Sequence, residues 1–331
     1  MLSFQPSQKL ENELRILQGT IVETYKNIEY LSTDESQYLH RFALISNIGA
    51  STRIENAVLT DNEVEWVDTI LQKNGKTTAF EENKLIILNK LAKDRERSVE
   101  EVVGCRLILS TVYLQANELF PLTQAIIRGL HHDLLRYYPP AESFAGGYKS
   151  NPNRVVSINH DTGEKRVVLD PSPTGVITST AMADLVYWYN LNIHENPWSL
   201  FVATEFVFRI LAIHPFQDGN GRLARALFIL ALLQTEDKYL REIAQYIAID
   251  RHIEQNRSLY YTILHKCSEG KFNVDPQKYK LEHLAWFFIN ILRVSLSDII
   301  VYRKRYAQIQ KLSESATSVL NCFRCSPEKR L

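Results

Sequence analysis

Apolar residues recur three and four positions apart along most of the chain, the spacing of one helix face. Over residues 8–31, Leu10, Leu14, Leu17 and Ile21 predict a helix that serves packing. Residues 58–98 read as further helix, including Val64–Leu71 and Asn83–Arg97, with a turn at Gly75-Lys76. Ser98-Val-Glu-Glu reads as a capping box for the next helix. Pro121–Tyr137 is another helix. Its His131 and His132 are adjacent and so face different sides, which argues against a joint metal site and suggests partly buried surface histidines. Trp198–Ile213 is apolar nearly all round, so it is placed at the centre of the protein. Pro197 starts it and Pro215 stops it. Leu223–Leu233 is a run of good helix formers without Gly or Pro. Helices are also predicted over about 179–192, within Lys238–Asp250, over Ile253–Leu264 and over 281–312.

One region departs from this period. Val155-Val-Ser-Ile158 and Arg166-Val-Val-Leu169 are short β-branched runs on either side of Asp161-Thr-Gly163, the pattern of a β-hairpin. The expected fold is mainly α with one β-hairpin. The expected divisions are an N-terminal helical region at 1–100, a core at 101–270 and a C-terminal helical extension at 271–331.

Composition narrows this only a little. The chain has 331 residues, 45% of them hydrophobic, and a formal net charge of zero. That is ample for a core and argues against a nucleic-acid footprint. The first residues lack the apolar stretch of a signal peptide, and the run at Ala226–Leu233 is too short to span a bilayer. The expectation is a cytoplasmic protein without a membrane partner. Four cysteines are no disulfide framework, and Cys322-Phe-Arg-Cys325 lacks the second pair of a zinc site. Apolar helix faces at both ends leave room for a homodimer.

The chemistry is concentrated in His214-Pro-Phe-Gln-Asp-Gly-Asn-Gly-Arg-Leu-Ala-Arg225. His214 is a candidate base and Asp218 a candidate ligand of a divalent cation. Gly219, Asn220 and Gly221 form a turn at the start of a helix, where unpaired N–H groups and the helix dipole attract phosphate. Arg222 and Arg225, three apart, share one face of the first turn and can each grip phosphate oxygens in a fork. The Gly-Lys-Ser/Thr ending of a Walker loop is absent. Upstream, Ser51 and Glu55 are four apart on one helix face, and Asn56 suits a helix end.

His214-Pro-Phe-x-Asp-Gly-Asn-Gly-Arg-x-x-Arg225 resembles the Fic-domain signature at every defining position, and the resemblance spans roughly Phe42–Asn290. It implies a mostly helical fold and transfer of AMP from ATP, with Mg²⁺, to a Ser, Thr or Tyr hydroxyl of a protein. By the same resemblance, Asp218 holds Mg²⁺ and Gly219, Asn220, Gly221, Arg222 and Arg225 meet the phosphates. Asn256, with Tyr260 and Tyr261, lines the ribose and base. The hairpin becomes a flap on which a protein target, or the chain itself, docks by β-augmentation. Ser51-Thr-Arg-Ile-Glu55-Asn56 matches the family's inhibitory pattern, with Glu55 paired to Arg225. Tyr148-Lys149 stands where relatives often carry an aromatic residue and Arg. Removal of AMP, transfer of another phosphate-containing group, and a mainly regulatory interaction module remain as alternatives.

Overall fold

The computed structural model describes residues 2–73, 76–77, 80–91, 95–158, 165–194 and 198–312, with 315, 316, 318, 319 and 322 near the C-terminus. Among them the chain forms α1 (Gln8–Ile28), α2 (Thr33–Ile54), α3 (Asp61–Leu71), α4 (Phe80–Leu91), α5 (Glu96–Gln115) and α6 (Gln124–Leu135). After an irregular stretch come α7 (Val176–Asn192), α8 (Ser199–Ile213), α9 (Asn220–Leu233), α10 (Lys238–Ala244), α11 (Ile249–Gln255), α12 (Arg257–Ser268) and α13 (Glu282–Ile309). The fold is mainly α, as the periodicity predicts.

Local chemistry explains many of the starts. Ser7, Ser32 and Thr123 accept a backbone N–H at the heads of α1, α2 and α6, and Thr60 with Glu63 forms a full capping box on α3. The box predicted at Ser98 does not form. The helix begins earlier, at Glu96, and the Ser98 hydroxyl instead accepts the Val58 N–H at 3.2 Å, under the turn between α2 and α3.

α8 and α9 pack on each other at the centre. Every residue of α8 is buried, as is every residue of α9 except Gly221. α2 lies across α5 and α11, and α6 packs on α5. α1 rests on α10 and α13, so the apolar faces of the two terminal helices meet within the chain. α13 is long and apolar enough to cross a membrane, but its Leu284, Phe288, Leu292 and Ile299 are core residues.

Two small antiparallel pairs interrupt the helices. β1 (Gln72–Lys73) pairs with β2 (Lys76–Thr77) where a simple turn was predicted. β3 (Val155–Ile158) pairs with β4 (Lys165–Leu169), with Val156 opposite Val167 and an irregularity between Val155 and Val156. The connecting turn at Asp161-Thr-Gly163 lies outside the described residues, as do Pro197 and Cys325. The foot of this hairpin is tied down. Asp170 donates its N–H to Gly270 O at 2.8 Å and accepts from Phe272 N at 2.9 Å.

The helix predicted over Ile253–Leu264 is broken at Asn256 (φ −113°) into α11 and α12. The main-chain N–H of Asn256 completes the last turn of α11 on His252 O, and its side-chain amide donates to the same carbonyl at 2.9 Å, a local bond of the kind that competes with helix continuation.

At the α5–α6 crossing, Gly104 lies so close to the Leu134 carbonyl that an added Cβ would overlap it. Gly104→Ala should therefore destabilise the protein by about 1–3 kcal/mol, the usual cost of overpacking. Urea denaturation of the two proteins measures this, and equal midpoints would disprove the tight crossing.

Candidate active site

The site is built where two buried helices must be joined by a short loop. α8 ends at His214, whose left-handed backbone (φ +50°) turns the chain out of the helix. Pro215 disfavours continuation of the right-handed helix. α9 starts after Gly219, also left-handed (φ +76°), a conformation that glycine adopts without steric cost. The loop's polar main chain is enclosed by protein, so its groups need partners.

Three parts of the chain supply them. Asn220 spends its amide on the loop: its Oδ1 accepts from Phe216 N at 2.9 Å and its Nδ2 donates to Phe216 O at 2.8 Å. From the other side, Lys149 N donates to Pro215 O at 2.8 Å, and Asn153 Nδ2 donates to Phe216 O at 2.8 Å. Lys149 Nζ reaches Ile213 O at 3.1 Å, the same carbonyl that accepts from Ser172 Oγ at 2.8 Å. The Lys149 ammonium is buried, and burial pushes its pKa down to about 8.

The third is His131 of α6, which was read as a partly buried surface residue. It is fully buried. Its Nδ1 accepts from Gly146 N at 2.9 Å, so its Nε2–H donates to Asp218 O at 2.9 Å. Its ring stacks on Phe216, with centroids 3.8 Å apart and planes 7° apart. A signal for this was present, because Ile127 and Leu135 lie four residues to either side on the apolar face.

The functional groups converge on a cavity of about 260 Å³. His214 forms part of its wall. Its Nδ1 faces Leu211 O at 3.3 Å, an arrangement that leaves Nε2 available to take a proton. Burial, followed by the nearby Lys149 charge, pushes its pKa down to about 4, so the imidazole is neutral at pH 7. Asp218 is more exposed. Its Oδ1 accepts from Gly219 N at 2.6 Å and lies 3.7 Å from Arg222 Nη2.

At the head of α9 the main-chain N–H groups of Asn220, Gly221 and Arg222 precede the first helical hydrogen bond, Leu223 N to Gly219 O at 3.0 Å. These N–H groups, rather than the committed Asn220 side chain, are what the turn offers to an anion. Arg222 is buried with Nε and Nη1 unpaired among the described residues, Glu101 being 3.7 Å from Nη1. A buried guanidinium with vacant donors is costly unless something else occupies them.

Arg225 is bonded through Nε and Nη2. Its Nε donates to Ser51 Oγ at 2.9 Å, and its Nη2 donates to Ser51 O at 2.8 Å and Glu55 Oε1 at 3.0 Å. Glu55 caps the end of α2, and its carboxylate lies directly over Gly221, where an added Cβ would collide with Oε1. The end of α2 is clamped around it. Arg53 grips Glu254 at 2.7 and 2.9 Å and Asp61 at 2.8 Å. Asn56 takes the left-handed conformation (φ +75°) that ends a helix and accepts from Arg257 Nη2 at 2.9 Å.

Tyr260 and Tyr261 line the cavity, and Asn256 does not. It is exposed at the α11–α12 junction with its amide on its own helix. No group of three or more His, Cys, Asp or Glu suited to a metal occurs among the described residues.

A family model described as Fic/DOC family matches residues 121–232. Among solved structures, this chain is similar to a Fic domain containing signaling protein from Bacteroides thetaiotaomicron, with 23% identity, a TM-score of 0.61, and coverage of 87% of this chain and 97% of that one. It is similar to a Fic family protein from Desulfovibrio desulfuricans at 19% identity and TM-score 0.63, covering 96% and 82% of the two chains. Residues 134–508 of Fic-1 from C. elegans match at 16% identity and TM-score 0.61, with 88% and 73% covered. At these identities the likeness establishes the fold.

The His131 bond to the loop has a pH signature. Burial lowers its pKa from 6.5 to about 4, so between those values the unfolded chain binds a proton that the folded one refuses. Stability present above pH 6.5 is therefore lost as pH falls toward 4, by about 3 kcal/mol for this group. His131→Gln should be less stable at pH 7 yet lose less stability over that window, as urea midpoints from pH 7 to 4 will show. Parallel pH curves would refute the assignment.

Proposed function

The chain carries a Fic/DOC domain at residues 121–232, of a family that transfers AMP or other phosphate-linked groups to proteins, and from it we propose a protein adenylyltransferase held in check by Glu55. The observation that carries this reading is the meeting, in one cavity, of a neutral His214, the N-terminal end of α9 and an Arg225 already bound by a carboxylate.

In this reading ATP lays its phosphates along the head of α9, whose N–H groups and dipole favour anions. Arg222 does not line the cavity; its buried guanidinium lies beside Glu101 and Asp218. Asp218 suits Mg²⁺ on an observation of donor chemistry: it offers one accessible carboxylate, and Mg²⁺ is typically held by one or two carboxylates together with substrate phosphates. When bound, Mg²⁺ would neutralise charge on the phosphates. His214 Nε2 takes the proton of a Ser, Thr or Tyr hydroxyl. That oxygen forms a bond to the α-phosphorus while the bond from the α-phosphorus to the bridging oxygen breaks, and pyrophosphate leaves. The main-chain N–H groups beside Gly221 stabilise the charge that develops. β3 has no partner other than β4 among the described residues, so its outer edge is available to an extended target segment, or to a segment of the chain itself.

Glu55 opposes this by occupying Arg225 Nη2 and lying over Gly221, where a terminal phosphate would bring like charge. The Glu55 side chain is also 32% exposed to the cavity, which favours a second reading in which it orients water and the site removes AMP.

Glu55→Gly should raise self- or target labelling about 10–100-fold, the worth of one charge-assisted hydrogen bond returned to the nucleotide. Intact mass after incubation with ATP and Mg²⁺ reads the result. A gain of one AMP supports the proposal, whereas a gain of one phosphate would replace AMP transfer with phosphoryl transfer.

Adding His214→Ala to that variant should cut labelling about 10²–10⁴-fold, the usual cost of losing a general base. Undiminished labelling would remove His214 from that role.

A further inference from the structure

Arg225 faces two carboxylates. Besides Glu55, Asp250 in the first turn of α11 places Oδ2 3.8 Å from Arg225 Nε. Asp250 is 1% exposed, and that oxygen has no hydrogen-bond partner. The residue is held from behind. Its N–H donates to Asn47 Oδ1 at 3.0 Å, and Asn47 Nδ2 donates to Ile247 O at 3.0 Å. Ser51 binds the same edge of the guanidinium: its hydroxyl accepts from Arg225 Nε at 2.9 Å and its carbonyl from Nη2 at 2.8 Å.

The two acids differ in kind. Glu55 sits at a helix end, is partly exposed, and binds the tip of the guanidinium at Nη2. Asp250 is enclosed and faces the inner edge at Nε. A brake that leaves a buried arginine with no counter-charge would be held in place by the cost of that isolated charge. A second carboxylate removes this obstacle.

We propose that Asp250 is the standing counter-ion of Arg225, holding the guanidinium from the side of Nε when Glu55 leaves, so that the Nη2 donor given up by Glu55 is presented to a terminal phosphate while Nη2 keeps its bond to Ser51 O. Asp250 is a positioning residue, and the proposal rests on reading Glu55 as the displaceable partner. Burial pushes the Asp250 carboxyl up, against the pull of Arg225.

A double-mutant cycle tests this through folding, so a failure of AMP transfer would not disturb it. The parent, Glu55→Gly, Asp250→Asn and the double variant are melted at pH 7.5 without nucleotide, then with inorganic triphosphate. Each single change leaves one carboxylate on Arg225 and should lower the Tm only slightly. The double variant should lose roughly 5–10 °C beyond the sum of the two, and triphosphate should restore most of that excess. A merely structural Asp250 would give the same loss in both backgrounds and no such rescue. If the double variant does not fold, Glu55→Gln/Asp250→Asn, which keeps both side-chain shapes, replaces it with the same expected coupling. Additive losses in either cycle overturn the proposal.

Discussion

A short loop between two buried helices governs much of this structure. The 214–219 segment has to satisfy its main chain without regular secondary structure, in a setting that water enters only from one side. His131, Lys149, Asn153 and Asn220 therefore come from three separate parts of the chain to bond its N–H and carbonyl groups. Once so held, the loop gives His214 a single orientation and the head of α9 a fixed direction. Such precision suits a preorganised site, because groups already placed need not be ordered again during reaction.

Charge is the second organising feature. Lys149, Arg222 and Arg225 are all nearly out of solvent, at 4%, 2% and 3% exposure. Buried cations are tolerated when anions face them. Arg225 has two carboxylates nearby, whereas Arg222 has its nearest carboxylates at 3.7 Å and lies outside the cavity lining. Arg225 is therefore the cation of the cavity wall, and Glu55 already occupies part of the space beside it. Under the proposed function, Glu55 and a nucleotide phosphate would compete through the same physics, a negative group meeting the same guanidinium.

The flap and the clamp show how distant segments are recruited. β3–β4 would be marginal as an isolated two-stranded hairpin, but the bridge from Asp170 to the 270–272 segment and the packing of β4 on α12 anchor its foot. Arg53, bonded to Glu254 and Asp61, fixes the end of α2 in the same way. Both features tie down a segment that faces the cavity, β4 and the end of α2 that carries Glu55.

Much of this was legible in the residues alone. Helical periodicity pointed to the fold class, the mostly apolar Trp198–Ile213 to the central helix, and Pro215 with the glycines to its abrupt end. These are local effects, set by backbone sterics and the burial of one face. The His214–Arg225 motif carried its own chemistry for the same reason, since its members are neighbours in sequence. What the sequence left open depended on through-space neighbours. His131 became a loop anchor because Gly146 and Asp218 approach its two nitrogens. Asn220 was drawn into the loop by Phe216. Asn256 was diverted to its own helix, and Ser98 was buried beneath the α2–α3 turn. Asp250 met Arg225 only because α11 packs on α2. Local sequence determined which groups were present and in what elements, whereas tertiary packing decided which polar group each must satisfy, because burial makes an unpaired partner too costly to leave.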